Sequence, residues 1–430
     1  MTAMEESAAP TTLTDQHLSL WRNPDFLKFW LGETLSLYGT QITTLALPLT
    51  AVLVFNAGPE EVGLLRFLQL VPYLAFALLF GVLVDRMRQR PIMIFANTVR
   101  MVLIGLVSVL AVLDRLDLPV LLVIAFGIGT ASVLFDVSWM SYLPALIKHR
   151  KHLVEANAKI ATTSASADAA GPGVAGVLVG ALTAPVVMAV DAASYLVSVV
   201  SLILIRTPEK PPSRTGAERR LIPELVEGLR WVFGNVYLRF LAFVGASCNF
   251  FTIATATMFL LYAVRDKGIE PEELGLIFSL GAVGGLTGSL VSGWLIRRLT
   301  VGTAYLGSLT AVFLGPLLIP LAGGPQLFTQ GMFVASFFLT YAGLAVSNVL
   351  ILSLRQTVTP PALMGRMNAA MRTLMFGGGS IGGPASGLLA GAIGLHGALW
   401  VIGIGAAAML VPVALSPVSR LREMAEVARC

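Results

Sequence analysis

EVGLLRFLQLVPYLAFALLFGVLVDRMRQRP (residues 61–91) starts on a glutamate, runs through a mostly apolar stretch and ends in an aspartate and three arginines. It has a second copy in the same chain. Glu61-Val62-Gly63-Leu64 is matched by Glu273-Leu274-Gly275-Leu276, Gly81 by Gly293 and Arg86 by Arg298, all at one and the same offset. Gly171-Pro172 returns at that offset as Gly383-Pro384, and Glu155-Ala156-Asn157-Ala158 resembles Arg366-Met367-Asn368-Ala369 one residue out of step. Separate landmarks that share one offset mark an internal duplication. The fold then follows from what one copy is.

One copy is a set of membrane spans. The 430 residues are 56% hydrophobic and 12% charged, with a mean hydropathy of +0.81. Soluble domains carry about 25% charged residues, so this chain lacks the polar surface to cover a water-soluble globule. A helix needs about 20 apolar residues to cross the hydrocarbon core. Such stretches occur near 29–55, 62–84, 92–113, 118–145, 156–180, 184–206, 238–264, 272–296, 302–322, 328–355, 365–393 and 395–416. They are too long and too uniformly apolar for barrel strands. The expected fold is an all-α membrane protein, twelve transmembrane helices arranged as two six-helix bundles. Its parts would be a tail (1–22), an N-terminal bundle (23–206), a linker with an interfacial helix (207–235), a C-terminal bundle (236–416) and a second tail (417–430). The first twenty residues are polar and acidic, with no secretory signal pattern, so the first span is expected to remain in the mature protein.

Lysine and arginine set the orientation. Arg86, Arg88 and Arg90 follow the second span, Lys148, Arg150 and Lys151 the fourth, a run from Arg206 to Arg230 the sixth, Arg297 and Arg298 the eighth, and Arg420, Arg422 and Arg429 the twelfth. The opposite loops hold Arg115, Arg265 and Lys267. Both termini are therefore expected on the cytoplasmic face of a multi-pass cell-membrane protein. The net charge of +5 is spread over short loops and is no nucleic-acid footprint. Cys248 and Cys430 are the two cysteines, too few for a disulfide framework or a metal site. No Walker lysine motif, catalytic triad, zinc spacing or dinucleotide fingerprint occurs in a usable context, and GAVGGLTG (281–288) lies within a span. An enzyme is not expected, nor a metal or cofactor. A parallel repeat of two six-span halves is an architecture of secondary transporters, whose halves rock about a site near the bilayer midplane.

GVLVDRMRQRP resembles the loop motif G-x-L-x-D-R-x-x-R-R of the major facilitator superfamily, through Gly81, Leu83, Asp85, Arg86 and Arg90. RNPDFLKFWLGETLSLYGTQITTLALPL (22–49), SYLPALIKHRKHLVEANA (141–158), AGPGVAGVLVGAL (170–182) and PPALMGRMNAA (360–370) bring the chain nearer to the exporter branch that takes in macrolide-efflux and enterobactin-export proteins. The resemblance runs from residue 22 almost to the end. It implies an efflux transporter using the proton gradient, a monomer in the bilayer with a hydrophobic or amphipathic small molecule as substrate. It also implies a cytoplasmic latch in which Asp85 meets the start of span eleven, where helix-end N–H groups favour a carboxylate. The second copy, GWLIRRLT (293–300), has Arg297 where the aspartate would stand, so the latch would be one-sided. Gly171, Pro172 and Gly176 resemble the fifth-span motif of antiporters. The arginine signature found in the fourth span of many drug–proton antiporters is missing from residues 121–140.

Ionisable groups in hydrocarbon are costly and are functional candidates by default. The first half holds Glu33, Arg66, Arg100, Asp136, Asp168 and Asp191, and the second little beyond Arg355 and Arg372. Any proton coupling is therefore expected in the first half. A buried carboxylate without a partner favours its neutral form and can carry a proton at neutral pH. Asp168, flanked only by small residues, is the leading candidate, followed by Glu33 and Asp136. Arg100 and Asp136 lie at similar depth and could neutralise each other. Tyr38, Phe250, Phe251, Phe337, Phe338 and Tyr341 could line a substrate cavity. Proton-coupled export is the leading reading. A facilitator or importer of a polar metabolite is the alternative, and a non-transporting sensor or assembly subunit is the alternative from another class.

Overall fold

The computed structural model describes residues 20–147, 150–209, 221–360 and 363–423. Among these residues fifteen α-helices follow one another: α1 (Pro24–Phe55), α2 (Pro59–Arg86), α3 (Gln89–Val112), α4 (Leu118–Leu146), α5 (Arg150–Leu182), α6 (Ala184–Leu204), α7 (Leu221–Gly234), α8 (Val236–Arg265), α9 (Pro271–Arg298), α10 (Val301–Leu314), α11 (Leu318–Leu321), α12 (Gln326–Val358), α13 (Met364–Ile393), α14 (Leu395–Ala408) and α15 (Leu410–Leu415). Among the described residues there is no strand. α10 with α11, and α14 with α15, each make one broken span, and eleven spans are long and apolar enough to cross a membrane. α13 is the twelfth long helix. Its many glycines, with Arg366 and Arg372, lower its apolarity without shortening it. α7 is too short to cross. The outer surface carries large apolar side chains such as Phe95, Val123, Leu290 and Leu327. A surface like this is stable against lipid and not against water.

The duplication reappears as repeated local chemistry. α2 and α9 begin and end at the offset that relates the two copies. Both open on proline and close the same capping box: Glu61 accepts from Gly58 N–H at 2.6 Å and Glu273 from Glu270 N–H at 3.2 Å. Asn23 caps α1 by accepting from the N–H groups of Asp25 and Phe26. Asn235, its counterpart at the same offset, caps α8 by accepting from Tyr237 and Leu238.

Packing repeats in the same order. α1 packs on α5 and α6, α3 on α4 and α6, and α2 on α4; likewise α8 packs on α13 and α14, α10 on α12 and α14, and α9 on α12. Two seams join the six-helix sets, α2 against α13 and α5 against α9, and the repeat exchanges one seam for the other. Both are glycine contacts near the end of the molecule opposite residues 20 and 423, hereafter the far end. A Cβ on Gly63 would lie 2.6 Å from the Gly383 carbonyl oxygen, and one on Gly176 would lie 2.5 Å from that of Pro271. Only a residue without a side chain lets the backbones approach this closely. Gly173 N–H donates to Ser279 Oγ across the second seam at 2.7 Å, and Arg265 Nη2 reaches the Ala57 carbonyl at 2.8 Å. The far end is thus shut.

At the terminal end several elements are tied within their own half. Asp25 accepts from Thr207 N–H at 2.8 Å and Thr207 Oγ1 at 2.7 Å, fastening the end of α6 to the start of α1. Glu209 accepts from the Gln89 N–H at the start of α3. Glu227 on α7 pairs with Arg366 at the start of α13, at 2.6 Å.

Glu60 lies against Gly391 in the first seam. A Glu60→Cys/Gly391→Cys pair should therefore form a cross-link with a short bifunctional reagent. Adding Gly63→Leu should lower the yield severalfold by wedging α2 from α13, and an unchanged yield would show that the glycines do not hold the seam.

Candidate functional site

Two cavities lie between the halves. The first, about 720 Å³, is walled by α1, α2, α5, α8, α9 and α12 at mid-depth. The second, about 850 Å³, is walled by α1, α4, α5, α8, α12 and α13 nearer the terminal end. A pocket of a few hundred to a thousand cubic ångströms suits a small organic molecule.

The walls of the first cavity are mostly apolar, including Leu45, Val62, Leu65, Leu260, Phe278 and Leu286. Its two charges are Arg66 and Asp168. Arg66 Nη1 donates to Gln69 Oε1 at 3.1 Å, one turn along α2, and its stem packs on Gly383 of α13. Asp168 was expected to stand among small residues without a partner. It does have one: Gln41 of α1 donates to Asp168 Oδ1 at 2.5 Å. Helix neighbours are small, but the partner comes from another helix. Gly171 makes this possible, since a Cβ there would meet Gln41 Cγ at 2.5 Å. Pro172 lies in the same wall and has no N–H to give the Asp168 carbonyl one turn earlier.

The second cavity is lined by Glu33, Asp136, Trp139, Arg355, Arg372 and Phe376, with the amides of Asn157, Asn249 and Asn368. Asp136 and Arg100, which could have neutralised each other, make no direct ion pair and bond other partners. The Tyr73 hydroxyl donates to Asp136 Oδ2 at 2.7 Å. Arg100, 5% exposed, donates to Asn97 Oδ1 at 3.3 Å and lies under Phe135 and Tyr195, 4.7 and 5.3 Å from the ring centroids. It remains in electrostatic reach of Glu33, Asp136 and Asp191 and is the central cation of the first bundle. Asp191 is fully buried and accepts from Thr43 and, at 3.0 Å, from Ser194. It does not line either cavity and holds α1 to α6. Asp191 and Arg66 belong to different environments, one buried between α1 and α6 and the other facing the first cavity.

The aromatics divide in the same way. Tyr341 lines the first cavity. Phe337 is 3% exposed and packs among Phe259 and Phe278. Phe250 and Phe251 form an edge-to-face pair, Phe338 backs onto Gly284 of α9, and Tyr38 bonds Ser166 at 3.1 Å. These five line neither of the two cavities. Sequence reading missed Tyr73, Trp139 and Phe376. Tyr73 stacks on Phe376 across the first seam, 4.6 Å between centroids and 7° between planes, and Arg372 lies over the same Phe376 ring, 5.4 Å from its centroid. No periodic pattern distinguishes such residues from lipid-facing aromatics.

Among the described side chains of the loop motif, the hydrogen bonds of Arg90 stay within the first half. Arg90 donates to the Leu202 and Ile203 carbonyls at 2.7 and 2.6 Å, capping α6. Arg86 is exposed and Gly81 has open space around its α-carbon. The Asp85 side chain, and so the contact expected of it, lies outside the described residues.

Removing the Arg100 charge should leave several carboxylates uncompensated. Arg100→Leu is expected to destabilise the purified protein by about 3 kcal/mol, read as a lower thermal midpoint. Adding Glu33→Gln should restore part of the loss; no recovery would mean that Arg100 acts through packing alone.

Comparison with known proteins gives one family. The model of the Major Facilitator Superfamily matches residues 29–383 and 242–426. The chain is 26% identical over 400 residues to the multidrug efflux pump Tap of Mycolicibacterium fortuitum, covering 90% of this chain and 93% of that one. It is 25% identical over 369 residues to the enterobactin exporter EntS of Escherichia coli O127:H6, covering 85% of each. Among solved structures, the nucleoside transporter NupG superposes with a TM-score of 0.71 at 13% identity, covering 91% of this chain and 97% of that one. A bacterial homologue of the iron transporter ferroportin in an inward-facing state also scores 0.71, at 16% identity, covering 92% and 100%.

Proposed function

The chain belongs to the Major Facilitator Superfamily, and on that premise we propose that it exports an amphipathic small molecule from the cytoplasm by alternating access coupled to proton entry. One observation carries the reading: a mid-depth cavity with apolar walls and two ionisable groups lies between halves that touch through glycine seams at the far end. The lysine and arginine bias of the loops supports a terminal end in the cytoplasm. The described conformation is then open inward, with the second cavity as the entrance to the first.

Export follows from the direction in which an apolar compound must be moved to be cleared, and it agrees with the functions named for the two relatives. An energy source is required, and membrane carboxylates offer one. Asp168 faces the space in which substrate would sit, so substrate and proton meet at one carboxylate. Asp136 and Glu33 line the entrance, where a proton released from the cavity would pass to the cytoplasm. Tyr73 joins Asp136 to the α2–α13 seam, which supports Asp136 as a protonation site coupled to a surface that the halves must rearrange. No cofactor is invoked, and a single chain suffices because both halves of the cavity come from it.

Efflux from a sensitised bacterial host across a compound panel, with and without a proton uncoupler, tests the function. Lower accumulation of some compounds that is lost on uncoupling is expected, and accumulation indifferent to the uncoupler would remove proton coupling. Asp168→Asn and Asp136→Asn should each lower pH-driven transport by tenfold or more, on the order of the loss of one charged contact, while both proteins fold. Wild-type rates in both variants would exclude these carboxylates.

A further inference from the structure

We propose that the first cavity recognises a zwitterion: an apolar body whose anionic group meets Arg66 and whose basic group meets Asp168. The proposal rests on that cavity being the substrate site and adds the chemical class of what enters it.

Arg66 and Asp168 border the same cavity, yet no ion pair joins them within 4.0 Å. Each is turned to a neutral amide. Gln69 takes one N–H of Arg66, and Gln41 occupies one oxygen of Asp168. Among the described residues, Arg66 Nε and Nη2 have no other hydrogen-bond partner, and neither does Asp168 Oδ2. An arginine has five N–H donors in a planar fork matched to a carboxylate, so most of this fork is free. Opposite charges held apart in a low-dielectric space attract complementary charges more strongly than they would in water. Such groups are expensive to keep in a membrane, and a pair that only stabilised the fold would close on itself.

Both groups are held in position. The Arg66 stem is set against Gly383, so its guanidinium is placed by the seam between the halves. Asp168 is oriented by Gln41, which Gly171 admits. The repeat sharpens the point. The position matching Arg66 is Phe278, and the one matching Asp168 is Ser380. Phe278 lines the same cavity. The two halves therefore supply unlike walls, charged from the first and aromatic or neutral from the second, as a substrate with a polar edge and an apolar body requires.

Binding of a matched set tests this on the purified full chain in lipid nanodiscs by calorimetry. The probes are 2-naphthylalanyl-glycine (zwitterion), its C-terminal amide (cation) and its N-acetyl derivative (anion). The zwitterion should bind about tenfold more tightly than either singly charged form, the size of one charge-assisted contact. Arg66→Gln should abolish the advantage over the amide, and Asp168→Asn the advantage over the N-acetyl derivative. Arg66→Lys, which keeps the charge but loses the fork, should retain part of the preference and guards against loss of folding in the glutamine variant. Equal binding of a singly charged probe to the wild type, a ranking unchanged in either neutral variant, or no binding of the zwitterion would overturn the proposal. The measurement involves no flux. Failure of export would leave the binding preference standing, and failure of the preference would leave export standing.

Discussion

Two close helix contacts organise this molecule. α2 meets α13 and α5 meets α9 at distances that a single added Cβ would not permit. In a bilayer there is no hydrophobic gain from joining two apolar helices, so association depends on backbone approach and on the few polar bonds that can be made. At the shut end, bonds of this kind among the described residues include Gly173 to Ser279 and Arg265 to Ala57. Everything between the halves depends on this closure at one end. It separates the helices toward the other end, opens the two cavities and sets Arg66 against Gly383.

Charge is distributed unevenly over a symmetric frame. The halves share caps, helix lengths, prolines and packing order, but Glu33, Arg66, Arg100, Asp136, Asp168 and Asp191 all come from the first. They do not act alike. Arg100 and Asp191 are buried in the first bundle and tie its helices. Arg66 and Asp168 face the central cavity, and Glu33 and Asp136 face the entrance. One bundle thus carries both a structural polar core and the groups that can respond to substrate or proton, while the other presents mainly surfaces against which they work. Arg355 and Arg372 are the exceptions, both lining the entrance, and Arg372 reaches back from α13 to the Met140 sulfur of α4 at 3.6 Å.

The span boundaries and the duplication were legible because they follow from local rules. The bilayer sets the length of an apolar helix, and proline, asparagine and glutamate mark helix starts wherever they occur. Depth along a helix was legible too, since rise per residue is constant. Azimuth was not. Depth placed Arg100 beside Asp136, whereas the rotation of α2 put Tyr73 between α4 and the seam. Small flanking residues left Asp168 without a partner, whereas Gln41 reaches it from α1 through the gap at Gly171. Five of the six aromatics considered for a cavity line neither of the two described above, because an apolar ring suits lipid, core and cavity equally.

By itself the sequence determined a membrane protein of twelve long helices, its duplication at one constant offset, the side on which its charges gather and the short list of ionisable groups that hydrocarbon must hold. These are one-dimensional properties, written in composition, spacing and run length. Only the tertiary structure decided which of those groups are partnered, which face a shared space and which end of the molecule is shut. Those outcomes depend on how rigid helices rotate and approach one another, and that is fixed by contacts between residues far apart along the chain.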